Sequence, residues 1–222
     1  YYESPTHEYL TADAGFEWVH FDDLVITHHE DGGTRIDKYE RDRLLLETRI
    51  VERPDDARSV FYLARTLRDL GRADEAIVMY ERRVAMGRWE QEQYICLLEI
   101  GDIHALSGRA ADAAWAWQRA IAVRPSRAES YHRLGQLLNA QRMYAAARVV
   151  LDRAAQLEPS DDQLFVERSV ERWGVAFEHA LACWWTGDRP FADSVFAELS
   201  ERPDVPEAVR VACRRNLALP PD

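Results

Sequence analysis

Lysine is almost missing from this chain: Lys38 stands alone among 28 basic residues, and the rest are arginine. Genomic base composition accounts for that bias without any special guanidinium chemistry. Basic residues are also outnumbered by 39 Asp and Glu, which leaves a net charge of -11. Attraction to nucleic acid or to an anionic membrane depends on excess positive charge, so a general binder of either kind is excluded. No apolar run approaches the roughly 18 residues that a membrane-spanning helix needs. Cysteine is scarce and odd in number, with Cys96, Cys183 and Cys213 far apart in helical patterns. They read as buried thiols of a reducing, cytoplasmic compartment, not as a disulfide framework or a metal knuckle. There is no G-x-S-x-G and no glycine-rich phosphate loop, and Thr11 stands where H-E-x-x-H would place its second histidine. Hydrolase and metalloprotease motifs are therefore absent.

What the chain does have is a repeat. Its 222 residues are 47% hydrophobic and 30% charged, enough for one or two domains with a real core. From Tyr94, a template picks out Gly101, Gly108, Ala113, Trp117, Ala120 and Pro125; from Ala128, 34 residues on, it picks out Gly135, Arg142, Ala147, Leu151, Ala154 and Pro159. Small residues where two helices cross, a large apolar residue between them and a closing proline at this period resemble the tetratricopeptide (TPR) repeat. In this reading Gly101, Gly108 and Gly135 all serve close packing. Two divergent units flank the pair. One runs from Ala57 through Ala64, Gly71, Ala76 and Tyr80, with Arg83 where a small residue is expected. The other runs from Trp173 through Ala180, Gly187, Ala192 and Phe196. The Met86-Gly87-Arg88-Trp89 connection absorbs about three extra residues, and Leu164-Phe165-Val166 suggests an added helical turn.

Residues 1–36 lie outside the repeat. Phe16 to Phe21 and Leu24 to His28 show strand patterns, and Asp31-Gly32-Gly33 makes a turn. A helix begins near Ile36 or Asp37 and runs to Glu52, with Tyr39, Leu44, Leu45 and Ile50 toward one side, before Arg53-Pro54 ends it. The expected fold is mainly α: a right-handed TPR-like superhelical stack of helical hairpins preceded by a short α/β segment. The expected divisions are the α/β piece at 1–36, a connecting helix at 37–54, repeats at 55–204, and a capping helix and tail at 205–222. In the last of these, Val209, Val211, Ala212 and Leu217 cover the final repeat. The opening Tyr1-Tyr2-Glu3-Ser4-Pro5 reads as the interior of a longer chain.

A wider resemblance runs through His7-Glu8-Tyr9-Leu10, Ile26-Thr27-His28, Asp31-Gly32-Gly33, Lys38, Arg41-Asp42, Pro54, Arg58 and Phe61 to Ala64. It continues through Tyr80, Arg82, Trp89, Arg124 to Glu129, Leu164 to Glu167 and Trp185-Thr186-Gly187. This ordered set is similar to the end of family 2 glycosyltransferases that carry C-terminal TPR repeats. The resemblance implies a GT-A nucleotide-sugar domain whose last part is residues 1–36, and Mg or Mn bound through D-x-D in the complete enzyme. No D-x-D occurs here, so the chain is not expected to transfer sugar alone, and no cofactor is assigned to it.

By the same resemblance, His7 and His28 are candidates for binding substrate or diphosphate, and Glu8 is a candidate general base. A surface turn with polar side chains explains His7 and Glu8 equally well. His28 and His29 are adjacent in a strand pattern and point to opposite faces, which disfavours a shared metal; no metal site is assigned. Trp117 and Trp173 read as core. Trp89, Trp115, His104 and one of Trp184 or Trp185 are left for partner contact.

Two functions stand at this level. One is the C-terminal region of a nucleotide-sugar-dependent glycosyltransferase, its repeats recognising a protein or peptide acceptor or pairing two subunits as a homodimer. The other is a TPR interaction adaptor without enzymatic activity. Inner positions taken near Leu97, Gly101, His104, Tyr131 and Leu138 offer few groups for a basic carboxylate clamp.

Overall fold

The computed structural model describes residues 2–3, 6, 9–10 and 36–219, which form two compact units meeting in sequence at Arg88 and Trp89. In the first unit, strand β1 (Tyr2–Glu3) pairs antiparallel with β2 (Tyr9–Leu10). Helices α1 (Ile36–Glu52), α2 (Ala57–Asp69) and α3 (Ala73–Ala85) follow. Arg53-Pro54 ends α1. Asp56 then caps α2, its carboxylate accepting from the Ser59 amide at 3.0 Å. The buried stripe of α1 is Asp42, Leu46 and Ile50, four residues apart, whereas Leu44 and Leu45 are exposed. The expected face of α1 is thus corrected: a leucine run places only one member in each turn against the core. The strand patterns at 16–21 and 24–28, and most of the α/β segment, lie outside the described residues.

In the second unit α4 (Glu90–Leu106) pairs with α5 (Ala110–Val123), and α6 (Ala128–Ala140) pairs with α7 (Tyr144–Ala154). A π-helical turn, Val170–Gly174, then feeds α8 (Val175–Trp185), which pairs with α9 (Arg189–Glu201). The chain closes with α10 (Glu207–Leu217) against α9. Gly101 and Gly135 show why the template demands small residues. A Cβ on Gly101 would sit 2.2 Å from Trp117 Nε1, and one on Gly135 would sit 2.6 Å from the Leu151 side chain. Ala64 with Tyr80, and Ala180 with Phe196, occupy the same offsets and are fully buried.

Gly108 does something else, and its expected packing role is corrected. Nothing lies within 4 Å of where its Cβ would be, and its φ is +72°. Gly71, Arg142 and Gly187 take positive φ at the same repeat position. There the amide after each residue reaches back across the turn, Arg109 to the His104 carbonyl at 2.9 Å and Met143 to Leu138 at 2.8 Å. This is a left-handed helix stop, which glycine enters without steric cost. Arg83, the misfit in the first hairpin, is buried and donates from Nη1 to the Gly87 carbonyl at 2.9 Å. Its guanidinium closes the end of α3 where other repeats bring helices together.

Leu164-Phe165-Val166 forms no helical turn. The stretch is irregular, Phe165 has a φ of 47°, and the added helical geometry appears later as the π-helical turn. Buried Arg127 holds this connection by donating to the carbonyls of Leu164 and Phe165, each at 3.2 Å, while pairing with Glu129 at 2.7 Å and Asp162 at 3.2 Å. Gln91 Oε1 accepts from the amides of Gln163 and Leu164, and Glu129 Oε1 accepts from that of Glu167. At the far end, Cys213 is buried with Val205, Phe196 and Leu199, and Val209 and Leu217 pack against them. Val211 faces solvent, so Cys213 replaces it in the covering face.

Candidate functional site

In α4 and α6 the residue one place after the packing glycine lines a groove. In α4 this is Asp102 and in α6 it is Gln136. Together with Ala105, Leu106, Trp117, Arg133, Leu137 and Ala140 they line a groove of about 450 Å³. Its walls are mostly apolar, and Leu106 is 89% exposed. The buried Trp117 indole donates from Nε1 to Asp102 Oδ1 at 3.1 Å, so the same ring that fits against Gly101 also orients the acid. Arg133 stands 3.4 Å from Asp102 and donates to both oxygens of Glu167, at 2.8 and 2.9 Å.

Burial raises the Asp102 carboxyl to about 6, with Arg133 pulling it down and Glu99 and Glu167 pushing it up. Farther along α6, Gln136 donates to Glu178 Oε1 at 3.2 Å and Asn139 donates to Glu178 Oε2 at 2.8 Å. Burial pushes the Glu178 carboxyl above its usual range as well. His132 is buried beside Arg133 and Gly174, and burial drives its imidazole down to about 4.

A second concavity, of about 380 Å³, lies in the first unit among Ile50, Val51, Leu67, Val78 and Met79. Its rim charges are engaged elsewhere: Glu47 with Arg43, Glu75 with Arg72, and Arg82 with the Pro54 carbonyl. It offers apolar surface without a polar set. The α4–α6 groove offers both, which is how binding sites combine area with orientation.

The inner positions expected from the sequence do not line the groove. Leu97, Gly101 and Tyr131 are buried. Leu138 packs beside Leu151 and Ala147, so these positions build the hairpins. The groove residues carried a signal all the same, because Asp102 and Gln136 follow the packing glycines at matching repeat positions. Trp89 is 45% exposed before α4, and Trp115 is 63% exposed on α5, opposite in sense to buried Trp117. His104 is half-buried on α4 with Nδ1 enclosed. None of these three lines the groove. Trp185 stacks on Tyr144 with ring centres 5.0 Å apart, and Trp184 packs toward the last core cluster. His7, Glu8 and His28 lie outside the described residues. Among the described residues no three metal-ligating side chains gather, and no helix is long and apolar enough to cross a membrane.

Residues 128–161 match the tetratricopeptide repeat family model. No curated protein sequence matches the chain. Solved structures do. YrrB, a TPR protein described as having an unusual peptide-binding site, is 13% identical over 81% of this chain and 85% of its own, with a TM-score of 0.58. MamA is 15% identical over 87% of this chain and 99% of its own, with a TM-score of 0.56. PilF of Pseudomonas aeruginosa is 13% identical over 83% and 77%, with a TM-score of 0.63. The helical array therefore has the fold of TPR proteins.

Proposed function

We propose that this chain is a protein-interaction module of the TPR kind, with the α4–α6 groove as the seat of a partner peptide. The observation that carries the reading is the groove itself: an apolar trough with Asp102, Arg133 and Gln136 on one side, formed by successive repeat helices. Stacked hairpins bind extended segments along such faces because neighbouring repeats supply a continuous surface. Among proteins of this fold, YrrB carries a peptide-binding site. A photo-reactive benzoylphenylalanine at Leu106 is expected to cross-link protein partners in cells, and the same group at exposed Val149 on α7 is not. Equal adducts at the two positions, or none at Leu106, would sink the reading. Three buried free thiols fit a reducing cytoplasm as its setting.

The glycosyltransferase reading rests on the sequence resemblance alone, as do nucleotide-sugar binding, a divalent metal and subunit pairing. Within it, His7 and His28 would contact the diphosphate and Glu8 would take the acceptor proton. No residue of the groove bears on those roles, so the adaptor reading leads.

A further inference from the structure

The groove is short of positive charge and of hydrogen-bond donors at one end. Among the described residues that line it or touch its lining, Asp102, Glu167 and Glu178 face a single guanidinium, Arg133, which is shared between Asp102 and Glu167. Glu178 receives only carboxamide donors, from Gln136 and Asn139, and no cation reaches it. It is nonetheless 8% exposed, a burial that ordinarily demands a counter-charge. Asn139 sharpens the point. Its amide nitrogen is fixed by two acceptors, the Glu178 carbonyl at 3.0 Å and carboxylate at 2.8 Å, so the orientation of the carboxamide is set by chemistry. The oxygen on its other side is buried without a donor, in a residue only 6% exposed. Asn139 is thereby held with its nitrogen toward Glu178, and the carboxylate, linked to the groove through Gln136, is left for a cationic N–H donor, which an anion or a bare acceptor cannot replace.

We propose that the groove selects a partner segment carrying a lysine or arginine side chain at its Gln136–Glu178 end, next to an aliphatic residue seated over Leu106 and Leu137. The proposal rests on the interaction reading above and gives that reading its chemistry. Charge complementarity works over the whole molecule as well, since a chain of net charge -11 attracts basic segments and repels acidic ones. The α4–α6 trough supplies apolar area for the aliphatic residue, and the acidic end fixes direction. A basic clamp for acidic peptide ends is the opposite chemistry.

The test is a positional-scanning decapeptide library panned against the full 222-residue chain at neutral pH and low salt. Ala140→Trp, a bulky plug at an exposed groove position, runs in parallel. The expected result is a set of peptides lost on Ala140→Trp and enriched in Lys or Arg beside Leu, Ile or Val. Glu178→Gln should weaken these by about fivefold or more, the scale of one partly screened charge pair. Asp102→Asn, which keeps an oxygen to accept from Trp117, should weaken them in the same direction, with circular dichroism verifying both folds. Groove-dependent peptides that are acidic, neutral or insensitive to both substitutions overturn this inference and leave the interaction reading standing. Peptides that bind the Ala140→Trp chain as well as the original overturn both.

Discussion

The α6–α7 hairpin and the connection from residue 155 to 174 follow one another in the chain and are held by opposite means. In the hairpin, Gly135 lies under Leu151 and the ends are closed by backbone hydrogen bonds around Arg142. In the connection, almost nothing apolar is spaced regularly. Its course is fixed by polar contacts: buried Arg127 with the carboxylates and carbonyls around it, Arg124 on Asp162, Arg133 on Glu167 and Arg168 on the Ser160 carbonyl. Apolar packing at a fixed period leaves a trace in the sequence because each repeat must solve the same crossing. A polar latch leaves none, since its arginines can stand wherever the loop passes.

The sharpest way to break this contrast is Arg127→Ala. It leaves Glu129 buried without its counter-charge and Asp162 with Arg124 alone, and losing one partner of such a cluster costs about 3–5 kcal/mol. At present the Glu129 carboxyl is held below its usual range: burial raises it, and Arg127 more than offsets that. A chemical denaturation curve for Arg127→Ala should show that loss, together with faster proteolysis between residues 157 and 167. Unchanged stability would mean that the connection is held by something else.

On the hairpin side, Gly101→Leu forces a side chain into the Trp117 ring and should cost about 1–3 kcal/mol or more. Gly108→Ala, in open space but at a φ of +72°, should cost about 1 kcal/mol through backbone strain alone. Equal melting temperatures for the two variants would erase the distinction between crossing glycines and turn glycines.

A smaller effect follows from His132, which bridges the two regions by lying on α6 beside Gly174. Burial first, then the Arg133 charge, lowers its folded pKa from 6.5 to about 4, against an opposing pull from Glu129. Its contribution to stability is present above 6.5 and is lost as pH falls from there through about 4, with a slope of at most about 1.4 kcal/mol per pH unit. Asp102 acts with the opposite sign. Its raised pKa adds stability below 3.8 that is lost as pH rises through about 6. Denaturation midpoints of His132→Gln should therefore fall less steeply on acidification than those of the unsubstituted chain, and those of Asp102→Asn more steeply. Parallel profiles for all three would show that neither group titrates as its burial implies.

Much of the array was legible before any coordinates. The small, large and small sequence of Gly101, Trp117 and Ala120, and its copy in Gly135, Leu151 and Ala154, specifies which faces meet. The candidate site was legible only in part. Asp102 and Gln136 occupy matching repeat positions, but the inner positions expected at Leu97, Gly101 and Tyr131 are buried in the hairpins, and the groove begins one residue past Gly101, a turn of about 100° on a helix. Gly108 and Gly135 look alike in sequence. One is chosen for backbone φ and the other for lack of volume, and the trace of the difference is Arg142, which stands at the repeat position of Gly108 where no small side chain is required.

The sequence by itself determined that the chain is helical, repeats with a 34-residue period and carries a net charge of -11, because periodicity and net charge are properties of the linear order. Tertiary structure decided which polar groups lose water together. That Arg127 reaches residues 162 to 165, that Trp117 orients Asp102, and that Glu178 lies among carboxamides without a cation all depend on side chains tens of positions apart being brought into one low-dielectric neighbourhood.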